Sequence, residues 1–302
     1  DFFRLGGHSI LAIQLVHQIQ RACKVHVAVA DIFKYKTIAH LLQNINLKNK
    51  EFELVKVFNQ EKDNLKQMVL IHPGGEGCEG YSPLIDLKND YTYITIENFN
   101  LNVHSAISCL SSLARHYIAS LKLNSKARKW FKHKPLHILG WSLGGHIALE
   151  MAHQMELQGY NNIKVTLLDS FVPVKPKRTT QKELEKTIKN IKDLLNKEGM
   201  HPTIIEKHLK LVPIEDTICS TPLSAQLKTT HVQLFQATEI TKGKDRIMNF
   251  QQQIESLQFH CKNEIQVIPC PCNHADIVKH IASEPSLYQK VWAFMEKTPV
   301  LD

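Results

Sequence analysis

No apolar run in these 302 residues approaches the ~20 that a membrane-spanning helix needs, and the first residues lack the charged-then-apolar pattern of a secretory leader. The expectation is a soluble, cytoplasmic protein. Cysteine is sparse and irregular: seven residues, an odd number, fall at 23, 78, 109, 219, 261, 270 and 272. That spacing excludes a disulfide scaffold and predicts reduced thiols. There is no internal repeat and no low-complexity tract. The net charge of +8 raises the question of nucleic acid, but the excess sits mainly in residues 175–210, where Lys and Glu interleave through Gln181-Lys182-Glu183-Leu184-Glu185-Lys186. A solvated helix face has that pattern. No aromatic residues interleave with the lysines, so nucleic-acid binding is not expected.

What is present is enough for a packed core. Hydrophobic residues make up 43% of a chain longer than one ordinary domain, which predicts two unequal domains. At the start, Asp1-Phe2-Phe3-Arg4-Leu5-Gly6-Gly7-His8-Ser9-Ile10 leads into an apolar pattern at Leu11, Leu15 and Ile19. It reads as a loop delivering Ser9 to the start of a helix. Thr37 announces a further helix by preceding Ile38, Leu41, Leu42 and Ile45, with a short turn at 29–33 between. By itself a serine at a helix start is an ordinary cap.

The run from Asp1 to Ser9 also resembles the signature of peptidyl carrier domains, in which the serine after Leu-Gly-Gly-His carries 4′-phosphopantetheine; Asp31-Ile32-Phe33 and Thr37-Ile38 resemble that family's later helices. The resemblance covers residues 1–46. It implies part of an all-α carrier bundle, with Ser9 as attachment site, aminoacyl or peptidyl cargo, and a phosphopantetheinyl transferase and upstream condensation and adenylation modules as partners. Because the sequence opens inside the motif, the first helix of such a carrier is expected to be missing from it. Glycines before Ser9 let backbone approach a phosphate, whose charge is favourable at a helix N-terminus.

Residues 47–51 are polar and aperiodic and read as a linker. Beyond them, apolar stretches at 68–72, 93–96, 136–139, 165–168, 232–235 and 265–268 alternate with helical patterns, which predicts an α/β fold with a largely parallel sheet over residues 52–302. Gly140-Trp141-Ser142-Leu143-Gly144 follows the third of these stretches and precedes a helix with Ala148, Met151, Ala152 and Met155 on one face. This is the context of a nucleophile elbow, where small residues let backbones touch while the hydroxyl projects. Ser142 is therefore the candidate nucleophile. A serine needs a base, and the base an acid to hold its tautomer. His274, in Pro271-Cys272-Asn273-His274-Ala275-Asp276 after the last strand, is better placed than His260 or His280. Two acids compete: Asp169, at the end of the stretch 165–168, and Asp245, on the loop after Phe235.

This second module resembles the type I thioesterase domains that end peptide and polyketide synthases, and so implies an α/β-hydrolase fold with a helical lid. The resemblance selects Asp169 as the acid, since that family's acid follows the strand next after the nucleophile's. It also assigns Val69-Leu70-Ile71-His72-Pro73-Gly74-Gly75 to an oxyanion loop, with backbone donors near Gly75 and at Leu143, and residues 175–228 to the lid. His72 reads as a packed strand residue. Cys270 and Cys272 lack a second ligand pair, so no metal is expected. The implied reaction releases an acyl or peptidyl chain through acyl-Ser142, by hydrolysis or by macrocyclisation, with the open glycine loop leaning toward hydrolysis. A stand-alone esterase or lipase and a non-catalytic carrier and docking module are the rival readings.

Overall fold

The computed structural model describes residues 1–23, 27–44, 52–58, 66–87, 91–103, 105–132, 135–200, 202–240 and 249–296. These divide into two compact units: residues 1–53 with 180–213, and residues 54–179 with 214–302.

The larger unit is built on a seven-stranded sheet: β1 Val55–Phe58, β2 Lys66–Ile71, β3 Tyr91–Ile96, β4 Leu136–Trp141, β5 Ile163–Leu168, β6 His231–Ala237 and β7 Gln266–Cys270. Their order is β1-β3-β2-β4-β5-β6-β7, with β1 antiparallel to β3 and all other neighbours parallel. Six strands match the expected stretches to within a few residues. The unforeseen one, β1, is a four-residue edge strand of which only Val55 is buried, too short for periodicity to stand out.

In chain order the helices are α1 Ser9–Cys23, α2 Val29–Tyr35, α3 Ile38–Asn44, α4 Ser82–Ile85, α5 Phe99–Asn102, α6 Leu110–Leu123, α7 Leu143–Leu157, α8 Gln181–Lys197, α9 Pro202–Cys219, α10 Phe250–Phe259, α11 Ile277–Ser283 and α12 Pro285–Glu296. Side chains alternate across the sheet, so β2 supplies Val69 and Ile71 to one core and Met68 and Leu70 to another. The first core packs against α6, α7 and α10 and the second against α4, α11 and α12. With apolar matter on both faces, β3 and β5 are buried along their whole length. This rigid centre carries the strand ends from which the site is built.

In the smaller unit α1 to α3 enclose Ala12, Val27, Ile32 and Leu41, with Phe2, Phe3, Leu15, Val16 and Ile19 packed around them. Thr37 caps α3 through its hydroxyl, which accepts from His40 N–H at 3.2 Å. The apolar faces are narrower than the spacing suggested. Leu41 is buried while Ile38 and Leu42 are 79% and 72% exposed, and Ala12 replaces Leu11 as the inward residue of α1. Within the same unit α8 begins at a capping box, Thr180 with Glu183, and the Gln14 amide donates to the Glu198 carbonyl just after α8.

Candidate active site

Ser142 sits between the end of β4 and the start of α7 with φ 55° and ψ −122°, backbone angles that a non-glycine residue adopts only when its surroundings impose them. Three features impose them. Ser142 N–H donates to the Leu168 carbonyl of β5 at 3.0 Å, extending the ladder one residue past the strand. Gly145 N–H donates back to the Ser142 carbonyl at 3.1 Å. A Cβ on Gly144 would lie 2.5 Å from the Ile71 carbonyl oxygen and 2.6 Å from that of His72, and one on Gly140 would strike the Gly144 backbone. The elbow therefore needs those glycines. Tyr81 adds a clamp: its buried hydroxyl accepts from Trp141 N–H at 2.7 Å and donates to the Ile71 carbonyl at 2.7 Å, joining the ends of β4 and β2.

Asp169 lies at the end of β5, buried and also at positive φ, 45°, with its N–H donating to the Phe235 carbonyl at 2.8 Å. Its Oδ2 accepts from His274 Nδ1 at 2.8 Å, and its Oδ1 accepts from Ala237 N–H at 3.3 Å and from Gln253 Nε2 at 3.1 Å. The carboxylate is 5% exposed and the imidazole 46%, so the acid is the buried anchor and the histidine the accessible partner. With Nδ1 bonded to the acid, Nε2 is the nitrogen placed to exchange a proton with a hydroxyl. His274 is held at a short turn that Asn273 caps, its Oδ1 accepting from Ala275 and Asp276 N–H at 2.9 and 3.1 Å. The Trp141 ring lies 5.9 Å from the imidazole, which places His274 beside the elbow. Gln253, on α10, is a supporting residue that sequence reasoning missed, since a buried glutamine on an amphipathic helix carries no motif.

Of the other sequence candidates, Asp245 lies outside the described residues. His260 is buried, its Nε2 bonded to the Pro173 carbonyl at 3.0 Å, and belongs to the core. His72 is buried too, between the Pro73 carbonyl and the Tyr117 hydroxyl, each 2.7 Å away. Burial drives its pKa down to about 4 and leaves it neutral. On the oxyanion loop the structure shifts the emphasis from Gly75 to its neighbour. The single N–H of Gly75 donates to Glu215 Oε1 at 2.9 Å, whereas a Cβ on Gly74 would stand 3.7 Å from Leu143 Cβ. Gly74 is thus the loop residue packed against the first residue of α7.

On the smaller unit Ser9 opens α1 after Gly6, at φ 94°, and Gly7, where any Cβ would collide with the Phe2 ring and lie 2.6 Å from the Phe2 carbonyl oxygen. The first turn of α1 has no acidic residue. A phosphodiester on a half-buried serine at that helix start meets unopposed N–H dipoles, so these residues fit phosphopantetheine.

A serine on a strained strand-to-helix elbow, an acid after the next strand and a histidine after the last, on a mostly parallel sheet, define the chain as an α/β hydrolase with a Ser-Asp-His order. Residues 66–288 match the model of the thioesterase domain, and the chain belongs to that family. Residues 1–45 match the phosphopantetheine attachment site. Among curated proteins the chain is 28% identical over 181 residues to the dimodular nonribosomal peptide synthase of Bacillus subtilis (strain 168), spanning 58% of this chain and only 7% of the relative's length. Among solved structures it is similar to a four-domain nonribosomal peptide synthetase in its holo form, with a TM-score of 0.65 at 19% identity over 99% of this chain and 24% of the other. It is also similar to the NocB thioesterase domain in covalent complex with a fluorophosphonate nocardicin G analogue, with a TM-score of 0.60 at 18% identity over 80% of this chain and 100% of the other. Among the described residues no helix is long and apolar enough to cross a membrane.

Proposed function

We propose that this chain is the release end of a nonribosomal peptide synthetase acting in the cytoplasm. In this reading Ser9 bears the phosphopantetheine placed by a phosphopantetheinyl transferase, upstream condensation and adenylation modules supply the acyl or peptidyl chain, and residues 52–302 free it. The helical insert of 175–228 selects the acyl chain. The observation that carries the reading is the 2.8 Å bond between His274 Nδ1 and Asp169 Oδ2 beside the strained elbow of Ser142, on a chain that also carries a carrier signature.

Phosphopantetheine, when bound, supplies a thiol on which the acyl group is held as a thioester. The remaining chemistry belongs to side chains of this chain. His274 accepts the Ser142 proton at Nε2 as Oγ forms its bond to the thioester carbonyl carbon, and Asp169 stabilises the resulting imidazolium. Backbone N–H groups of Leu143 and of the loop at Gly74 receive the negative charge on the carbonyl oxygen; such donors are typically worth about 10²- to 10³-fold each. His274 then gives its proton to the departing sulfur as the C–S bond breaks, leaving acyl-Ser142. In the second half His274 takes a proton from water, or from an amine or hydroxyl of the product itself, as that oxygen or nitrogen forms its bond to the ester carbonyl carbon, and returns the proton to Ser142 Oγ as the ester bond breaks.

A fluorophosphonate probe tests the nucleophile. The reading predicts one adduct, on Ser142, absent in Ser142→Ala; a wild-type protein that stays unlabelled would leave the scaffold reading in its place. The mass of the released product separates the two outcomes, because a macrocycle is lighter than the free acid by one water.

A further inference from the structure

Glu215 lies in the last turns of α9, two residues beyond Pro213, and takes no part in the Asp169–His274 pair. Its half-buried carboxyl reaches the loop after β2. Oε1 accepts two hydrogen bonds, from Gly75 N–H at 2.9 Å and from Asn98 Nδ2 at 3.1 Å. Asn98 is itself fixed: 1% exposed, it caps α5 by accepting from Leu101 N–H at 3.1 Å, and its carbonyl accepts from the Asn102 amide at 2.9 Å. One carboxyl oxygen thus ties the loop after β2 to the loop after β3. The other, Oε2, faces Gly74, where a Cβ would come within 3.1 Å of it and within 3.7 Å of Leu143 Cβ. A methyl at position 74 would press on the carboxyl and force it to shift by a few tenths of an ångström.

The loop needs an outside anchor. Gly74 and Gly75 have no side chains with which to pack, Gly75 stands at φ 72°, and glycine loses more backbone freedom on ordering than any other residue. His72 is pinned before this stretch by Tyr117, and Cys78 after it by the bond of its N–H to Glu97 Oε2 at 3.2 Å. Between those two pins, the bond to Glu215 holds Gly75. An oxyanion donor is effective only when it is already in place, because reorganisation during the reaction forfeits its advantage.

We propose that Glu215 is a positioning residue for the release reaction: by holding Gly75 it sets residues 74–77 against Leu143, so that the neighbouring backbone N–H groups face the developing oxyanion. This rests on the thioesterase reading above. Glu215 touches neither substrate nor Ser142 in this role. Glutamine presents the same kind of acceptor oxygen, whereas methionine fills the space with only a weakly accepting thioether.

The test uses the whole chain as wild type, Glu215→Gln and Glu215→Met, with amide hydrogen exchange at residues 73–77 read beside turnover of a short acyl N-acetylcysteamine thioester. The expected result is that Glu215→Gln keeps both within about threefold. Glu215→Met should speed exchange at Gly75 and lower kcat by roughly 10- to 100-fold, with KM nearly unchanged, the size of one buried donor left without its acceptor. Should methionine prevent folding, Glu215→Ser is held to the same criteria. Unchanged exchange at Gly75 without the acceptor overturns the proposal, as does an equal loss in the glutamine variant. A wild type that loosens as expected on substitution but never turns over the thioester would instead retire the thioesterase reading and leave the tether standing.

Discussion

Asp169 does two jobs with two oxygens: one holds the His274 tautomer, the other is held by Ala237 N–H and Gln253. Asp169→Asn should preserve the fold and lower kcat by about 10³- to 10⁴-fold, because the amide cannot fix the imidazole in the productive tautomer. Gln253→Leu should lower it only about 10-fold, since the Ala237 bond remains. Steady-state kinetics on a thioester, with melting temperatures as the control, checks both. Glu215 makes a separate claim about pH. Burial raises its carboxyl from an ordinary 4.5 to about 7, against the pull of its two donors. The unfolded chain releases this proton at the lower value, so the stability Glu215 contributes is complete below about 4.5 and is lost as pH rises through about 7. Glutamine has no proton to lose. The melting temperature of Glu215→Gln should therefore gain on wild type between pH 5 and pH 8, and a flat difference across that range would count against the buried acid.

At the scale of elements, the elbow depends on close backbone approach between β2 and α7. Gly144→Ala must push a methyl against two carbonyl oxygens at 2.5 and 2.6 Å, and overpacking of that kind costs about 1–3 kcal/mol. A lower urea midpoint at unchanged m is expected, together with loss of fluorophosphonate labelling. Tyr81→Phe removes the hydroxyl that joins Trp141 to Ile71 and leaves a buried N–H without its acceptor, at a cost of about 1–3 kcal/mol. Much of this was legible in the sequence. Apolar stretches bounded by polar residues marked β2 to β7, and the glycines around Ser142 marked the elbow because only sterics demands them there. The pairing of Asp169 with His274 needed the strand order as well, since 105 residues separate them. What escaped was polar support from helices. Gln253 and Glu215 look like ordinary residues on amphipathic faces until the fold turns them inward, and β1 was too short to show a period.

For the whole molecule, the two serines of the proposed reaction lie in different compact units. Ser9 stands at the start of α1 in one compact unit, and Ser142 at the end of β4 in the other. Residues 180–213 interrupt the sequence of the second unit and cluster with the first. The central claim is that an acyl group attached through Ser9 leaves by way of Ser142. Its most direct test is intact-protein mass spectrometry of the chain with an acyl-pantetheine loaded on Ser9, comparing wild type with Ser142→Ala. The wild type should shed its acyl group while the variant keeps it. Equal, slow loss from both proteins would contradict it.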